Sequence, residues 1–236
     1  MQKIYIYKDT GVCLKSYQAL SNLCQNFIND DCTVQSIDAI RIIKGDWVAA
    51  ASTIIFPGGA DLPYAKKLNG AGNNNIKAFV TEGGAYLGIC AGAYYGSSFC
   101  DFASSVHCDP RITVLGNREL AFYPGHTIGP FLAPYTYNKE CGARTTKIMQ
   151  AVGQEKYYNA YFNGGCYFAE PEKFSNVTVL ARYAAAGFMA EAAVVLCRVG
   201  TGCAVLSGVH PELKCSPDDQ SLLLQNILQY VYTYFL

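Results

Sequence analysis

Apolar residues along the first hundred positions follow two alternating patterns. Short runs rich in aromatic and β-branched residues predict buried strands, and these runs lie at 3–7, 33–38, 52–61 and 85–90. Residues 14–27 repeat apolar side chains at spacings of three and four, which predicts a helix, and residues 74–84 predict another helix that ends at two glycines. The alternation of strands and helices predicts an α/β fold, in which a mainly parallel sheet carries helices on both faces.

The pattern changes in the second half of the chain. Residues 111–170 contain short β-like pieces separated by Pro, Gly and Asn, which predict an antiparallel extension or cover and not a separate domain. Within this region the segment PGHTIGP, residues 124–130, is predicted to be a loop. Two strong apolar strands follow at 192–200 and 202–210, and residues 216–235 predict a closing helix.

Composition and charge limit the classes of function. Of 236 residues, 51% are hydrophobic and 15% are charged, which predicts a well-packed core within one domain, residues 1–236. Because 18 basic residues balance 18 acidic ones, charge gives no reason to expect nucleic acid or an anionic membrane as a partner. No apolar run approaches the roughly 20 residues that span a bilayer. We expect a cytoplasmic protein that begins with a strand and not a signal peptide, and we leave export open.

The chain contains 11 cysteines but no CxxC motif and no spacing typical of a zinc site. The nearest arrangement is CDFASSVHC, which contains Cys100, His107 and Cys108. We predict no metal site and no cofactor. Free thiols in a reducing compartment are expected, with one or two disulfides in an exported protein as the alternative.

One cysteine lies in a distinctive context. Cys90 follows an apolar strand in the sequence GICAG, so that Gly88 and Gly92 flank it at two residues on either side. Two such glycines permit the sharp strand-to-helix turn that presents a nucleophile, and the helix that follows favours the thiolate. The backbone N–H of Ala91 is then a natural oxyanion donor. The competing interpretation is a buried structural thiol, which is common for free cysteine.

Two further motifs supply what a nucleophilic cysteine needs. The segment PGG, residues 57–59, follows another strand, and we expect Gly59 to be the second oxyanion donor in preference to Gly58. His210 ends an apolar strand, which puts it on the same edge of the sheet as Cys90, and Glu212 lies close enough to orient the imidazole. Together these residues predict a Cys–His–Glu triad. The alternatives are an ordinary strand-end histidine and a surface carboxylate.

The order PGG, GICAG, HPE resembles the class I glutamine amidotransferase superfamily. The stretches FPGGADLPYAKKLNG, FVTEGGAYLGICAGAYYG and FNGGCYF are similar to the N-terminal domain of fungal biotin–protein ligases and its stand-alone bacterial relatives. The resemblance covers most of the chain. It implies a flavodoxin-like three-layer sandwich, the triad Cys90, His210 and Glu212, and the oxyanion donors Gly59 and Ala91. It implies no established substrate.

The chain departs from this resemblance at one position. Glutamine-hydrolysing members usually carry Gln four residues after the nucleophile, and here that residue is Tyr94. We predict that Gly58, Tyr94 and Asn163 contact the substrate. The first hypothesis is a hydrolase that acts through a thioester on a small-molecule or peptide amide. The second is a catalytically silent module that binds a small molecule or regulates a partner. The sequence leaves the oligomeric state open.

Overall fold

The structure is a computed structural model that describes residues 2–27, 32–104, 110–132, 135–136, 139–184 and 191–214. The strands are β1 Gln2–Tyr7, β2 Cys32–Ile37, β3 Ala51–Phe56, β4 Ala85–Ile89, β5 Ser97–Phe102, β6 Val114–Asn117, β7 Tyr123–Gly129, β8 Arg144–Gln150, β9 Tyr157–Phe162, β10 Tyr167–Phe168, β11 Val177–Tyr183, β12 Ala192–Val199 and β13 Gly202–Ser207. The helices are α1 Leu14–Phe27, α2 Ala39–Lys44, α3 Asp61–Leu68, α4 Ala71–Thr81 and α5 Ala91–Gly96.

The first half of the sheet is parallel, in the order β2-β1-β3-β4-β13. Because side chains alternate along a strand, β1 directs Ile4 and Ile6 to one face and Tyr5 and Tyr7 to the other. Among the described helices, α1 packs against the first face, and α2, α3, α4 and α5 pack on the side of the second. Helices therefore cover both faces, and the prediction of an α/β three-layer fold is confirmed.

The second half of the sheet is mainly antiparallel and forms the predicted extension. Strand β12 pairs antiparallel with β13, and the sheet continues through β10, β7, β5 and β6. A branch made by β11, β8 and β9 leaves the sheet at β12. The 13 strands of the described residues belong to one sheet, so the middle of the chain is continuous with the parallel half.

The segment 124–130 was expected to be a loop, and this prediction is wrong. Most of it lies in β7, where Thr127 pairs with Cys100 of β5 and with Phe168 of β10. Gly125 is needed there because a Cβ atom would approach Phe174 and Tyr123 to 2.8 Å. The glycines of this segment therefore permit close packing within the sheet and do not form a turn.

Some of the predicted features lie outside the described residues. The closing helix predicted at 216–235 lies outside the described residues, as do His107 and Cys108. Cys13, Cys24, Cys90, Cys100, Cys166, Cys197 and Cys203 are free thiols. Within the described part of the chain, no helix is long and apolar enough to cross a membrane.

Loss of a buried side chain at the centre of the sheet should destabilise the fold strongly. Leu206 is fully buried in β13, between β4 and β12. We expect Leu206→Ala to lower the free energy of unfolding by about 2–5 kcal/mol, because the lost side chain leaves a cavity that rigid neighbours cannot fill. Chemical denaturation followed by circular dichroism measures this loss. Leu115→Ala is the matched control, since Leu115 is 56% exposed and the change should stay within about 0.5 kcal/mol.

Candidate active site

Cys90 occupies a strained turn between β4 and α5. Its backbone has φ 50° and ψ −102°, a region that residues with a side chain rarely adopt and that costs on the order of 1–3 kcal/mol. Hydrogen bonds hold the turn, since the Cys90 N–H donates to the Ser207 carbonyl at 2.8 Å and the Cys90 carbonyl accepts from Ala93 and Tyr94. The turn projects a side chain that is only 6% exposed at the carboxyl edge of the parallel strands.

The two flanking glycines are both required by contacts. A Cβ atom on Gly88 would lie 2.4 Å from the carbonyl oxygen of Gly92. A Cβ atom on Gly92 would lie 2.2 Å from the carbonyl oxygen of Phe56 at the end of β3. The turn therefore packs backbone against backbone on both sides, as the sequence predicts for a nucleophile elbow.

His210 and Glu212 follow the neighbouring strand, β13. Nδ1 of His210 lies 2.8 Å from Oε1 of Glu212, so Nε2 is the ring nitrogen that remains for Cys90, which lines the same cavity as His210. The backbone N–H of His210 donates to the Tyr161 carbonyl at 2.8 Å, so that the branch strand β9 fixes this segment. The structure thus brings together the three side chains that the sequence assigns to a triad.

The electrostatics of His210 follow from its burial and its two partners. Burial alone lowers the pKa of His210, but the negative charges of Glu212 and of a Cys90 thiolate, with hydrogen bonds to both, raise it. The net result is a pKa well above the usual 6.5. Because His210 is 6% exposed and Glu212 is 3% exposed, the pair is protected from solvent screening. The arrangement favours the protonated imidazole in the folded protein.

Ser16 is a site residue that sequence reasoning missed. Its fully buried hydroxyl on α1 donates to Oε1 of Glu212 at 2.7 Å and accepts from the N–H of Gly58 at 3.0 Å. Oε2 of Glu212 is buried and meets no donor among the described residues. Ser16 therefore supplies one of the hydrogen bonds that stabilise the buried Glu212 carboxylate. The only sign of this role in the sequence is a serine on the apolar face of a predicted helix.

The two predicted oxyanion donors differ from their neighbours in the hydrogen bonding of their N–H groups. In the segment 58–60, the N–H of Gly58 is bound by Ser16 and that of Ala60 donates to the Gly11 carbonyl at 2.8 Å. No described residue accepts from the N–H of Gly59 or from that of Ala91. Gly59 has φ 145°, and a Cβ atom there would lie 2.0 Å from the Gly11 oxygen, so only glycine fits.

The three residues predicted to contact substrate have different positions. Asn163 places its carbonyl oxygen 3.9 Å from Cys90 Sγ, and its own Oδ1 is buried without a donor among the described residues. The Tyr94 ring lines a cavity beside Cys90, and its hydroxyl donates to the Gly164 carbonyl at 3.3 Å. Gly58 lines neither of the cavities at Cys90 and instead packs against the imidazole, since a Cβ atom there would lie 2.5 Å from Cε1 of His210.

Two cavities meet at Cys90. The apolar cavity has a volume of about 450 Å³, and its own walls include Leu62, Tyr94, Phe102, Ile112 and Val114. The charged groove has a volume of about 680 Å³, and its own walls include Lys15, Lys139, Glu140, Tyr161 and His210. The residues common to both are Gly59, Ala60, Pro63, Cys90, Tyr135 and Asn163. In the described part of the chain, no group of three or more His, Cys, Asp and Glu residues could hold a metal ion.

The hydrogen bonds of Ser16 predict a measurable contribution to stability. We expect Ser16→Ala to lower the free energy of unfolding by about 2–3 kcal/mol, because it removes a donor from a buried carboxylate and an acceptor from Gly58. Urea denaturation at neutral pH measures the difference. Ser36→Ala is the control, since Ser36 is exposed on β2 and its removal should change stability by less than about 0.5 kcal/mol. Equal effects of the two substitutions would contradict the assignment.

The raised pKa of His210 predicts how stability depends on pH. The folded protein holds a proton that the unfolded chain releases near pH 6.5, so this contribution is complete below about pH 6.5 and is lost as the pH rises towards the folded pKa. We expect the free energy of unfolding to fall between pH 6.5 and 8, by at most about 1.4 kcal/mol per pH unit from this proton. His210→Gln, which keeps an amide donor for Glu212, should flatten the slope. Exposed His126→Gln should leave it unchanged, and identical slopes in both variants would contradict the assignment.

Comparisons with known proteins identify the family. Residues 2–230 match the family described as biotin-protein ligase, N terminal. The chain is 38% identical over 215 residues to the biotin–protein ligase of Schizosaccharomyces pombe, covering 89% of this chain and 33% of that protein. It is 35% identical over 234 residues to an uncharacterized protein of Chlamydia muridarum, covering 97% of this chain and 86% of that protein.

A solved structure of a glutamine amidotransferase superposes with a TM-score of 0.63, covering 97% of this chain and 98% of that one at 16% identity, which shows a shared fold. The chain spans about a third of the length of the fission-yeast ligase. The matched residues contain the elbow at Cys90, the PGG segment and the His210 segment. The chain belongs to the family of biotin–protein ligase N-terminal domains, on an amidotransferase-like fold.

Proposed function

We propose that the protein hydrolyses an amide bond through a thioester on Cys90. The observation that carries this proposal is the buried His210–Glu212 pair at 2.8 Å, which shares a cavity with Cys90 and with the Gly59 N–H, one of two backbone N–H groups that have no acceptor among the described residues. A nucleophile, a base held in one orientation and preorganised donors are the parts that acyl transfer requires.

The proposed reaction has two steps, formation of the thioester and its hydrolysis. The Cys90 thiolate attacks the amide carbon and forms a C–S bond, while the carbonyl electron pair moves to an oxygen that Gly59 and Ala91 N–H groups stabilise. The C–N bond then breaks, and the amine leaves with the proton of the His210 imidazolium. In the second step water attacks the thioester carbon, His210 takes a proton, the C–S bond breaks and the acid is released.

Each surrounding residue has a physical role in this proposal. Glu212 holds the imidazole through Nδ1 and stabilises its positive charge, and Ser16 fixes the carboxylate. Two preorganised oxyanion donors are worth several kcal/mol of transition-state stabilisation, each about 3 kcal/mol by analogy with single-donor removals. The strained backbone of Cys90 keeps the sulfur at the meeting point of the two cavities.

The second candidate function is a catalytically silent module that binds a small molecule or regulates a partner. It is favoured by Tyr94, which stands where glutamine-hydrolysing proteins usually carry Gln and whose hydroxyl is engaged by the Gly164 carbonyl. This alternative predicts a ligand that stabilises wild type and Cys90→Ala equally and is not consumed. Turnover that depends on Cys90 would exclude it.

Alkylation distinguishes an activated thiolate from an inert thiol. Cys13 is an exposed free thiol and serves as the internal reference, whereas Cys90 is buried. We expect iodoacetamide at pH 7 to modify Cys90 at least about tenfold faster than Cys13, despite its lower exposure, because a thiolate is the reactive species. Mass spectrometry of time-resolved digests gives both rates, and His210→Gln should remove the advantage of Cys90.

Turnover is measured on the same preparations with a panel of amides and short peptides. Cys90→Ala should retain less than about one thousandth of the wild-type rate. Slow alkylation of Cys90 together with equal behaviour of wild type and Cys90→Ala on every amide would overturn the proposal.

A further inference from the structure

The two cavities at Cys90 differ in their relation to the proton donor. His210 lines the charged groove and does not line the apolar cavity. An amine can leave only where it can receive a proton, so the nitrogen of the scissile bond must lie on the His210 side of the sulfur. The acyl side of the same bond then points away from His210, and the space available to it is the apolar cavity.

From this asymmetry we infer that the substrate is a secondary amide, with an aromatic or bulky apolar acyl half in the apolar cavity and a polar amine half in the charged groove. The inference rests on the proposed function and specifies its substrate class. Both halves extend well beyond the reacting atoms, which distinguishes this class from a primary amide that releases ammonia.

The walls of the apolar cavity fit an aromatic group. Tyr94 and Phe102 pack edge to face with ring centroids 5.5 Å apart, and Leu62, Ile112 and Val114 complete an apolar surface. A volume of about 450 Å³ lies in the range of small-ligand pockets and has room for a phenyl ring. The shared residue Asn163 borders this cavity beside the sulfur.

Two charged residues, Asp61 and Arg111, also reach the apolar cavity. Asp61 is not free to bind a cation, because its carboxylate is paired with the buried Arg118 at 2.7 Å. The tyrosine hydroxyl is likewise engaged by Gly164 and not presented to a ligand. Because Asp61 and the Tyr94 hydroxyl have partners, the wall that remains apart from Arg111 is mainly aromatic and aliphatic.

The charged groove has the opposite character. Lys15 bridges Glu140 at 2.7 Å and lies over the Tyr161 ring, and Lys139 also lines the groove. Because the lining residues include two lysines and one glutamate, the groove favours an amine half that carries a carboxylate. A leaving ammonia would use none of this surface.

The test uses the whole 236-residue chain and N-acetyl dipeptides that differ in one position, with glycine release measured by mass spectrometry. We expect kcat/KM for N-acetyl-Phe-Gly to exceed that for N-acetyl-Ala-Gly and for glutamine by at least about tenfold. Leu62→Trp should reduce the Phe-to-Ala preference at least about fivefold, because the larger side chain occupies the cavity. Leu115→Trp, on exposed β6 outside the cavity, is the matched control and should leave the preference unchanged.

Binding to Cys90→Ala, measured by calorimetry with the same dipeptides, separates the two proposals. One outcome is that no dipeptide is turned over, that the Phe dipeptide binds more tightly than the Ala dipeptide, and that Leu62→Trp weakens this binding. This outcome would overturn hydrolysis but support the assignment of the cavity. Turnover that depends on Cys90 without a preference for the Phe dipeptide, or with a preference for glutamine, would overturn the substrate class alone. Equal binding of the Phe and Ala dipeptides would also overturn it.

Discussion

A single series of buried hydrogen bonds joins the parts of the candidate site. The N–H of Gly58 binds the hydroxyl of Ser16, which binds Glu212, which in turn holds Nδ1 of His210. A buried carboxylate is costly unless its oxygens are satisfied, so the orientation of Glu212 depends on two partners that come from distant parts of the chain. The same series fixes the backbone next to Gly59. The position of the imidazole and the direction of the free Gly59 N–H are therefore set by one network.

The elbow at Cys90 shows how the sheet sustains a strained residue. Strand β3 contacts it through the Phe56 carbonyl, and β13 contacts it through the Ser207 carbonyl, so the turn is held from both neighbouring strands. Backbone contacts of this kind leave no room for side chains, which explains Gly88 and Gly92. The antiparallel extension contributes as well, since Gly165 packs against the Gly208 carbonyl and Tyr161 binds His210.

Periodicity predicted the parallel half of the sheet well because its strands are buried runs and α1 has a clear apolar face. The elements that periodicity missed contain residues that usually interrupt a helix or a strand. Helix α3 contains Pro63, which a first turn tolerates although it normally marks a break. Strand β7 carries the glycines of a turn, but pairing with β5 and β10 and close packing at Gly125 decide its conformation. Such pairing is tertiary information that local sequence does not carry.

The triad residues were predictable because their chemistry leaves local signs, namely two glycines around Cys90 and a histidine at the end of an apolar strand. Ser16 left no such sign, because its partner Glu212 lies 196 positions away. The division of the cleft into an apolar and a charged side also arises only from folding, since Phe102 and Lys139 have no relation in sequence.

The hydrogen bond between Tyr161 and His210 has a consequence for the order of events during synthesis. Residues 16, 90, 161 and 210 must all be in place before the sulfur acquires its partner, so the site depends on contacts of the longest sequence separation. Long-range contacts of this kind form late, after local helices and hairpins. A nascent chain that has not yet added β13 therefore lacks the strand that places His210 and Glu212 next to β4 and Cys90. The candidate site assembles only after β13 has been synthesised and has paired with β4.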